Sequence, residues 1–179
     1  MTRLAAVGSF VAAVLCVAPP LPAQLAEVQL GVVASYGSGD PFGPGGGLVL
    51  GIAPGRLTYA GLRWTYYAGA TRQGVRNRAQ VFSIDLGVQI PVGPLEVVPG
   101  LGLGLIRFSQ RTGAVSEHDT KLLVAPGLSV EAHVASLALI PQLQYDVGAN
   151  PDLSIPVRHR GLVASLRLVL PIEVGRLRH

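Results

Sequence analysis

Ser129, Glu131 and His133 stand two residues apart. At that spacing all three side chains leave the same face of a strand. A hydroxyl, a carboxylate and an imidazole in a row can move a proton, although residues of these types more commonly hydrogen-bond to one another inside a barrel. A second group, Ser116-Glu117-His118-Asp119, carries cation donors. No other histidine lies close by, and the simpler reading is a solvated polar loop. Gly100-x-Gly102-x-Gly104 has the look of a phosphate loop. It lacks the following helix that would supply the anion site, so its spacing is read as one face of a strand. No residue is assigned a catalytic, cofactor-binding or metal-binding role, and no cofactor is expected.

The remaining chemistry is ionic. Arg63 and Arg167 share a polar face with Asp85, Glu131 and Asp146. A buried charge without a partner is strongly destabilising, so each arginine is predicted to find a carboxylate in an internal ion network. Gly100, Gly102 and Gly104 are expected to leave room for the guanidinium stems. Seven further arginines fall between apolar stretches: Arg72, Arg76, Arg78, Arg107, Arg111, Arg158 and Arg160. Guanidinium groups bind phosphate in bidentate fashion, which makes these seven a candidate rim for lipid headgroups.

The elements that must position these groups show a period of two. Apolar and polar or glycine residues alternate over 27–36, 47–52, 59–67, 82–90, 100–105, 122–131, 137–147 and 161–170. That is the mark of strands with two different faces, and no stretch after residue 23 carries a helical period. The connections alternate in length. Those at 54–55, 91–94 and 135–136 are short, and those at 37–46, 69–78, 109–120 and 148–158 are long. The predicted fold is all-β: an eight-stranded antiparallel up-and-down transmembrane barrel with long loops at one end.

The faces decide between a soluble barrel and a membrane barrel. One face is nearly pure Leu, Val, Ile and aromatic. The other carries Gln29, Arg63, Asp85, Gln89, Glu131, Gln142, Gln144, Asp146 and Arg167, together with many glycines. Showing the apolar face to water and packing the ionic face into a dry core is unfavourable on both counts. The polar face is therefore predicted to be the lumen and the apolar face to meet lipid. Tyr36, Trp64, Tyr66, Phe82 and Tyr145 lie on the apolar face near the long-loop end, where an interfacial aromatic girdle is expected. Pro99, Pro126 and Pro141 interrupt three strands. Each removes a ladder donor, so bulges or later strand starts are expected there.

Composition excludes several alternatives. Of 179 residues 49% are apolar and 13% charged, too few charges for a disordered chain. One cysteine excludes a disulfide scaffold. The formal net charge of +4 comes without any run of Lys or Arg, so nucleic acid is not an expected partner. Residues 1–23 read as a cleaved signal peptide for Sec-type secretion: Arg3, an apolar run over 4–18, then Pro19, Pro20 and Pro22. Leu15 before Cys16 argues against lipidation. Residues 24–179 form the barrel domain.

On the signal peptide, eight alternating strands, four long loops and the Trp64/Tyr66 pair, the chain resembles the small outer-membrane β-barrel family of the OmpA-membrane-domain and OmpX type. The resemblance implies a Gram-negative-type outer membrane, a monomer and a plugged polar lumen, with roles in envelope integrity or surface interaction. The rim arginines point to outer-membrane lipid, lipopolysaccharide included, as the expected partner, and no periplasmic domain is expected to follow, since the chain stops after the eighth strand. The chain departs from the pattern in ending at Arg178-His179 rather than in an aromatic. An enzyme is not expected: barrel-shaped lipid A deacylases place His and Ser two apart on a strand, and no His-x-Ser occurs here. The alternative is a narrow passive channel of the OmpW type. Val33, Val49, Ile106, Leu123, Ile140 and Val163 give it an apolar lining only in part.

Overall fold

Strand and turn are the only regular structure in the described residues, and no helix interrupts the alternation. The computed structural model describes residues 26–39, 41–54, 57–69, 71–72, 74–157 and 160–174. The predicted signal peptide, Cys16, Arg158 and His159 lie outside them. The strands are β1 (Ala26–Gly37), β2 (Pro44–Pro54), β3 (Thr58–Tyr67), β4 (Thr71–Arg72), β5 (Val75–Val88), β6 (Ile90–Val92), β7 (Leu95–Thr112), β8 (Val115–Val134), β9 (Leu137–Gly148) and β10 (Arg160–Val174).

These ten segments make eight staves. β5 and β6 hold one register against β7. β3 and β4 both pair β5, with a one-residue shift between Tyr67↔Ala79 and Thr71↔Arg76. Gly69, at a φ of 67°, sits in that shift, where the left-handed backbone of a bulge favours glycine. All pairings are antiparallel. β5 pairs β7, and β1 pairs β10 from Ala26↔Val174 to Gly37↔Val163, so the sheet closes on itself. Closure leaves no free edge for a partner strand.

Two expectations about connections are corrected. Residues 109–120 are not a loop. β7 and β8 run as one hairpin from Leu95↔Ala132 to Thr112↔Val115 and turn at Gly113, whose φ is 58°. Residues 75–78 likewise belong to β5 and pair β7. Apart from Val75, Ala114 and Val115, both segments are polar on both faces, so the apolar–polar contrast that reveals a strand vanishes while the hydrogen-bond ladder continues. The prolines introduce neither bulges nor late starts. Pro99 pairs Leu128, Pro126 pairs Leu101, and Pro141 pairs Leu166. The ladder between β8 and β9 skips pairs beside Pro126 and Pro141, yet Val124↔Val147 and Gly127↔Gln144 share one offset. The missing N–H groups remove bonds without shifting register. All three rings lie on the outer face.

The face assignment follows the alternation. Leu30, Leu50, Leu86, Leu122 and Leu168 are exposed around the outside, while Gln29, Arg63, Asp85, Gln144, Asp146 and Arg167 are buried within. The lumen is layered. Toward the loop end Phe42, Tyr67, Val81, Ile106, Phe108 and Leu123 form part of one apolar cluster. Toward the chain termini Val33, Val49, Ala138, Ile140 and Val169 form another. The inward positions of β10 read Val163, Ser165, Arg167, Val169, so the polar layer lies between them.

Candidate functional site

Arg63 holds the centre of the polar layer, 4% exposed. Its Nη2 lies 3.2 Å from Asp85 Oδ1. Its Nη1 donates to Gln144 at 2.6 Å and to Gln142 at 3.3 Å, and its Nε donates to Ser83 Oγ at 3.3 Å. Ser83 in turn donates to Asp85 at 3.0 Å. Gln144 Nε2 donates to Asp146 Oδ1 at 2.6 Å, which brings Asp146 into the network through an amide. Arg167 has a different partner from the expected carboxylate. Its Nη1 donates to the Tyr59 hydroxyl at 3.0 Å, and its guanidinium lies 5.5 Å from the centre of that ring. Asp85 is already engaged by Arg63 and Ser83, and Asp146 by Gln144.

The glycines make room in other places than expected. A Cβ on Gly102 would stand 3.0 Å from the Asp85 carboxylate, and one on Gly51 would stand 2.7 Å from the Tyr59 ring. They accommodate the acceptors and not the guanidinium stems. The space among Tyr59, Asp85, Gly102, Ser129, Gln142 and Arg167 is about 20 Å³, room for about one water molecule. Such a layer can hold the barrel's shape.

Glu131 stands apart, near the chain termini. Gln29 Nε2 donates to Glu27 at 2.8 Å and to Glu131 at 3.2 Å. His133 Nε2 lies 3.4 Å from Glu131 Oε1. Ser129 donates to the Val98 carbonyl at 3.4 Å, so its hydroxyl does not join Glu131 and His133 in a relay. Glu27, Glu131 and His133 bring their ligand atoms within 4.8 Å of one another. Two carboxylates and an imidazole are donors that suit zinc or another divalent cation. Sequence reading missed this grouping because Glu27 lies in β1 and Glu131 and His133 in β8, which meet only across the closed lumen.

The hairpin of β7 and β8 sorts its charges by face. Glu117, Asp119 and Lys121 point inward, and Arg107, Arg111 and His118 point outward. The inward acids clamp the fourth loop. Asp152 N–H donates to Asp119 at 2.6 Å, Ser154 N–H donates to Glu117 at 2.8 Å, and the Ser154 hydroxyl donates to the same carboxylate. Gln110 adds two bonds to the Ile155 backbone, at 3.0 and 3.1 Å. Residues 116–119 are thus strand, with the two acids engaged, and not a solvated loop.

Hydrogen bonds from Ser154 hold Glu117 below its ordinary pKa of 4.5. The Asp152 N–H and then Lys121 hold Asp119 below 3.8. Depressed carboxylate values mean that the clamp is fully present above those ordinary values and is lost as pH falls through the lowered ones. Amide hydrogen exchange at Asp152 and Ser154 should be protected at neutral pH and should lose that protection as pH is lowered below the ordinary carboxylate range. Protection that does not change between those conditions, after correction for intrinsic rates, would contradict the clamp.

On the outer face Tyr36, Trp64, Phe82 and Tyr145 are exposed and Tyr66 is half exposed. Trp64 faces Phe82 across β3 and β5, with ring centres 6.4 Å apart. Arg76, Arg107 and Arg111 are exposed and Arg78 is half buried. Register gathers them, with Arg76 opposite Arg111, Arg78 opposite Ser109, and Gln80 opposite Arg107. Arg160 is exposed at the start of β10, two staves from β8 and apart from this group. Arg72 lies in β4.

No protein-family model and no curated protein sequence matches the chain. Solved structures do. Neisserial surface protein A superposes with a TM-score of 0.59 at 12% identity, over 83% of this chain and 97% of that one. The N-terminal β-barrel domain of Pseudomonas aeruginosa OprF gives 0.59 at 11%, over 82% and 97%. A major outer membrane protein of Thermus thermophilus gives 0.62 at 14%, over 83% and 100%. The chain therefore has the fold of the small eight-stranded outer-membrane β-barrels.

Proposed function

We propose that this chain is an integral outer-membrane barrel, delivered by Sec-type secretion with residues 1–23 removed. Its lumen is sealed by its own side chains, and it works at its surface in envelope integrity or interaction rather than by catalysis or passage. The observation that carries this reading is the packed lumen. The Arg63–Asp85–Gln144–Asp146 layer leaves about 20 Å³ beside it. Apolar clusters bound it on both sides, and the clamped fourth loop adds Leu153 to the one at the loop end. An eight-stranded barrel is just wide enough for its own side chains. The all-round apolar outer wall supports a lipid surrounding.

The candidate channel lining argues the same way. Val33, Val49, Ile106, Leu123, Ile140 and Val163 do face inward, but each is buried in one of the two packed clusters. The test is reconstitution in a planar bilayer. Folded protein, identified by a gel mobility that changes on boiling, should give no conductance steps. Regular unit steps from the wild-type protein would establish the channel alternative instead.

A further inference from the structure

We infer that the outer wall across β2, β3, β5, β7 and β8 is a binding site for a phosphorylated acyl lipid, with the phosphate in a basic notch and the acyl chain in an apolar hollow beside it. The site rests on the outer-membrane reading and names its partner.

The notch encloses about 190 Å³, and its polar lining is Tyr66, Arg78, Gln80, Arg107, Ser109 and His118. Two guanidinium groups, an imidazole and hydroxyl groups make a donor set for a phosphate ester. Arg78 Nε is buried there with no hydrogen-bond partner in the protein, and a buried donor without an acceptor is destabilising. Arg76 and Arg111 stand opposite each other just beyond it, a like-charge pair that is unfavourable without a counter-charge. Among the described residues of these five strands, no Asp or Glu faces outward. Glu96, Glu117, Asp119 and Glu131 of the β7–β8 hairpin, and Asp85 of β5, all point inward. The wall thus lacks an internal anion and presents one sign of charge.

The hollow lies beside the notch along the same strands, β3, β5 and β7. It encloses about 530 Å³ and is lined by Leu48, Leu50, Leu62, Phe82, Ile84 and Leu105, with Trp64 at its margin. Trp64 and Tyr66, Phe82 and Gln80, and Leu105 and Arg107 are each two apart on one face, about 7 Å along the strand. Phosphate and chain origin are adjacent in one amphiphile, and the two cavities are adjacent in the same sense. A free phosphate or a soluble polyanion would use the notch and leave the hollow unused.

Trp64, the chain's single tryptophan, lies between the two and reports on both. Diphosphoryl lipid A titrated into the folded barrel in uncharged detergent should change its fluorescence saturably, and the affinity should fall with salt. Arg78→Gln with Arg107→Gln should weaken binding by about tenfold or more, while Arg160→Gln on β10 should leave it unchanged. Dephosphorylated lipid A and inorganic phosphate should each bind at least about tenfold more weakly than the diphosphoryl form. Equal binding of the dephosphorylated lipid would overturn the phosphate half. Full competition by inorganic phosphate, or equal binding of heparin, would overturn the acyl half and leave a polyanion surface. A double variant that keeps its boiling-dependent mobility and its affinity would overturn the site. Wild-type protein that never acquires that mobility would instead refute the membrane reading beneath it.

Discussion

Arg63→Ala is expected to lower the unfolding free energy of the barrel by about 3–5 kcal/mol, the effect of removing one partner from a buried ion pair. Four groups converge on this guanidinium: Asp85, Ser83, Gln142 and Gln144. Truncation leaves the Asp85 carboxylate, itself buried, without its cation. It also leaves the side-chain oxygens of Gln142 and Gln144 without that donor, and an unsatisfied buried acceptor is destabilising by about 1–3 kcal/mol. Arg63→Lys should recover little, since one ammonium cannot reproduce a planar fork addressed to several acceptors. Arg63→Met combined with Asp85→Leu should recover most of the loss, because an apolar pair of similar volume removes both charges at once. Urea titration in micelles, followed by Trp64 fluorescence and by boiling-dependent mobility, reads all four proteins. A single Arg63→Ala variant within about 0.5 kcal/mol of wild type, the range of ordinary surface substitutions, would show that the network carries no stability.

The strand faces were legible because a membrane barrel writes its burial into the chain with period two. Leu48, Leu50 and Ile52 alternate with Gly47, Val49 and Gly51, and the former set is exposed outside. The same signal fails beyond the apolar band. Ser116 and His118 face out, Glu117 and Asp119 face in, and both sets are polar. Hydropathy therefore shows no strand where the ladder from β7 to β8 runs on to Thr112↔Val115. A hydrophobic pattern reports a difference between surroundings, and it falls silent where both surroundings are polar.

Partnerships were less legible than faces. That Arg63 and Arg167 point inward follows from parity alone. Which acceptor each one meets depends on stagger and closure, and these are set by all eight staves together. Tyr59 is 108 residues from Arg167, and its hydroxyl is placed by the space that Gly51 and Gly61 leave for its ring. Three acids for two arginines invited simple ion pairing. The structure instead gives Asp146 an amide and gathers Glu131 with Gln29 and His133. The three prolines looked disruptive because each lacks an N–H. In a closed barrel the neighbouring ladder positions on both sides hold the register, so the loss stays local.

Gly47→Ala should destabilise the barrel by about 1–3 kcal/mol, the range for overpacking a well-packed site. Gly46→Ala, one residue earlier, should change stability by no more than about 0.5 kcal/mol. The two glycines sit side by side in β2 and face opposite ways. A Cβ on Gly46 points outward and meets nothing nearer than the Val33 carbonyl at 3.7 Å, an ordinary contact. A Cβ on Gly47 points inward, where it would meet the Trp64 carbonyl and stand 2.8 Å from Thr65 Cα. Both are backbone atoms of β3, the paired neighbour in Gly47↔Thr65, so no side chain can turn aside. β2 is also tied to β1 through Val33↔Gly47, which prevents the strand from moving the other way. The intrinsic preference runs against this prediction. Glycine in a strand loses more backbone freedom on folding than alanine does, and alanine where it fits is stabilising by about 0.4–1 kcal/mol. The steric term should win because a wall of eight strands curves tightly enough to bring neighbouring backbones together on its inner side. Urea midpoints of the two variants, compared in one detergent, decide the matter. A Gly47→Ala protein as stable as Gly46→Ala would mean that β2 and β3 stand further apart than the structure places them.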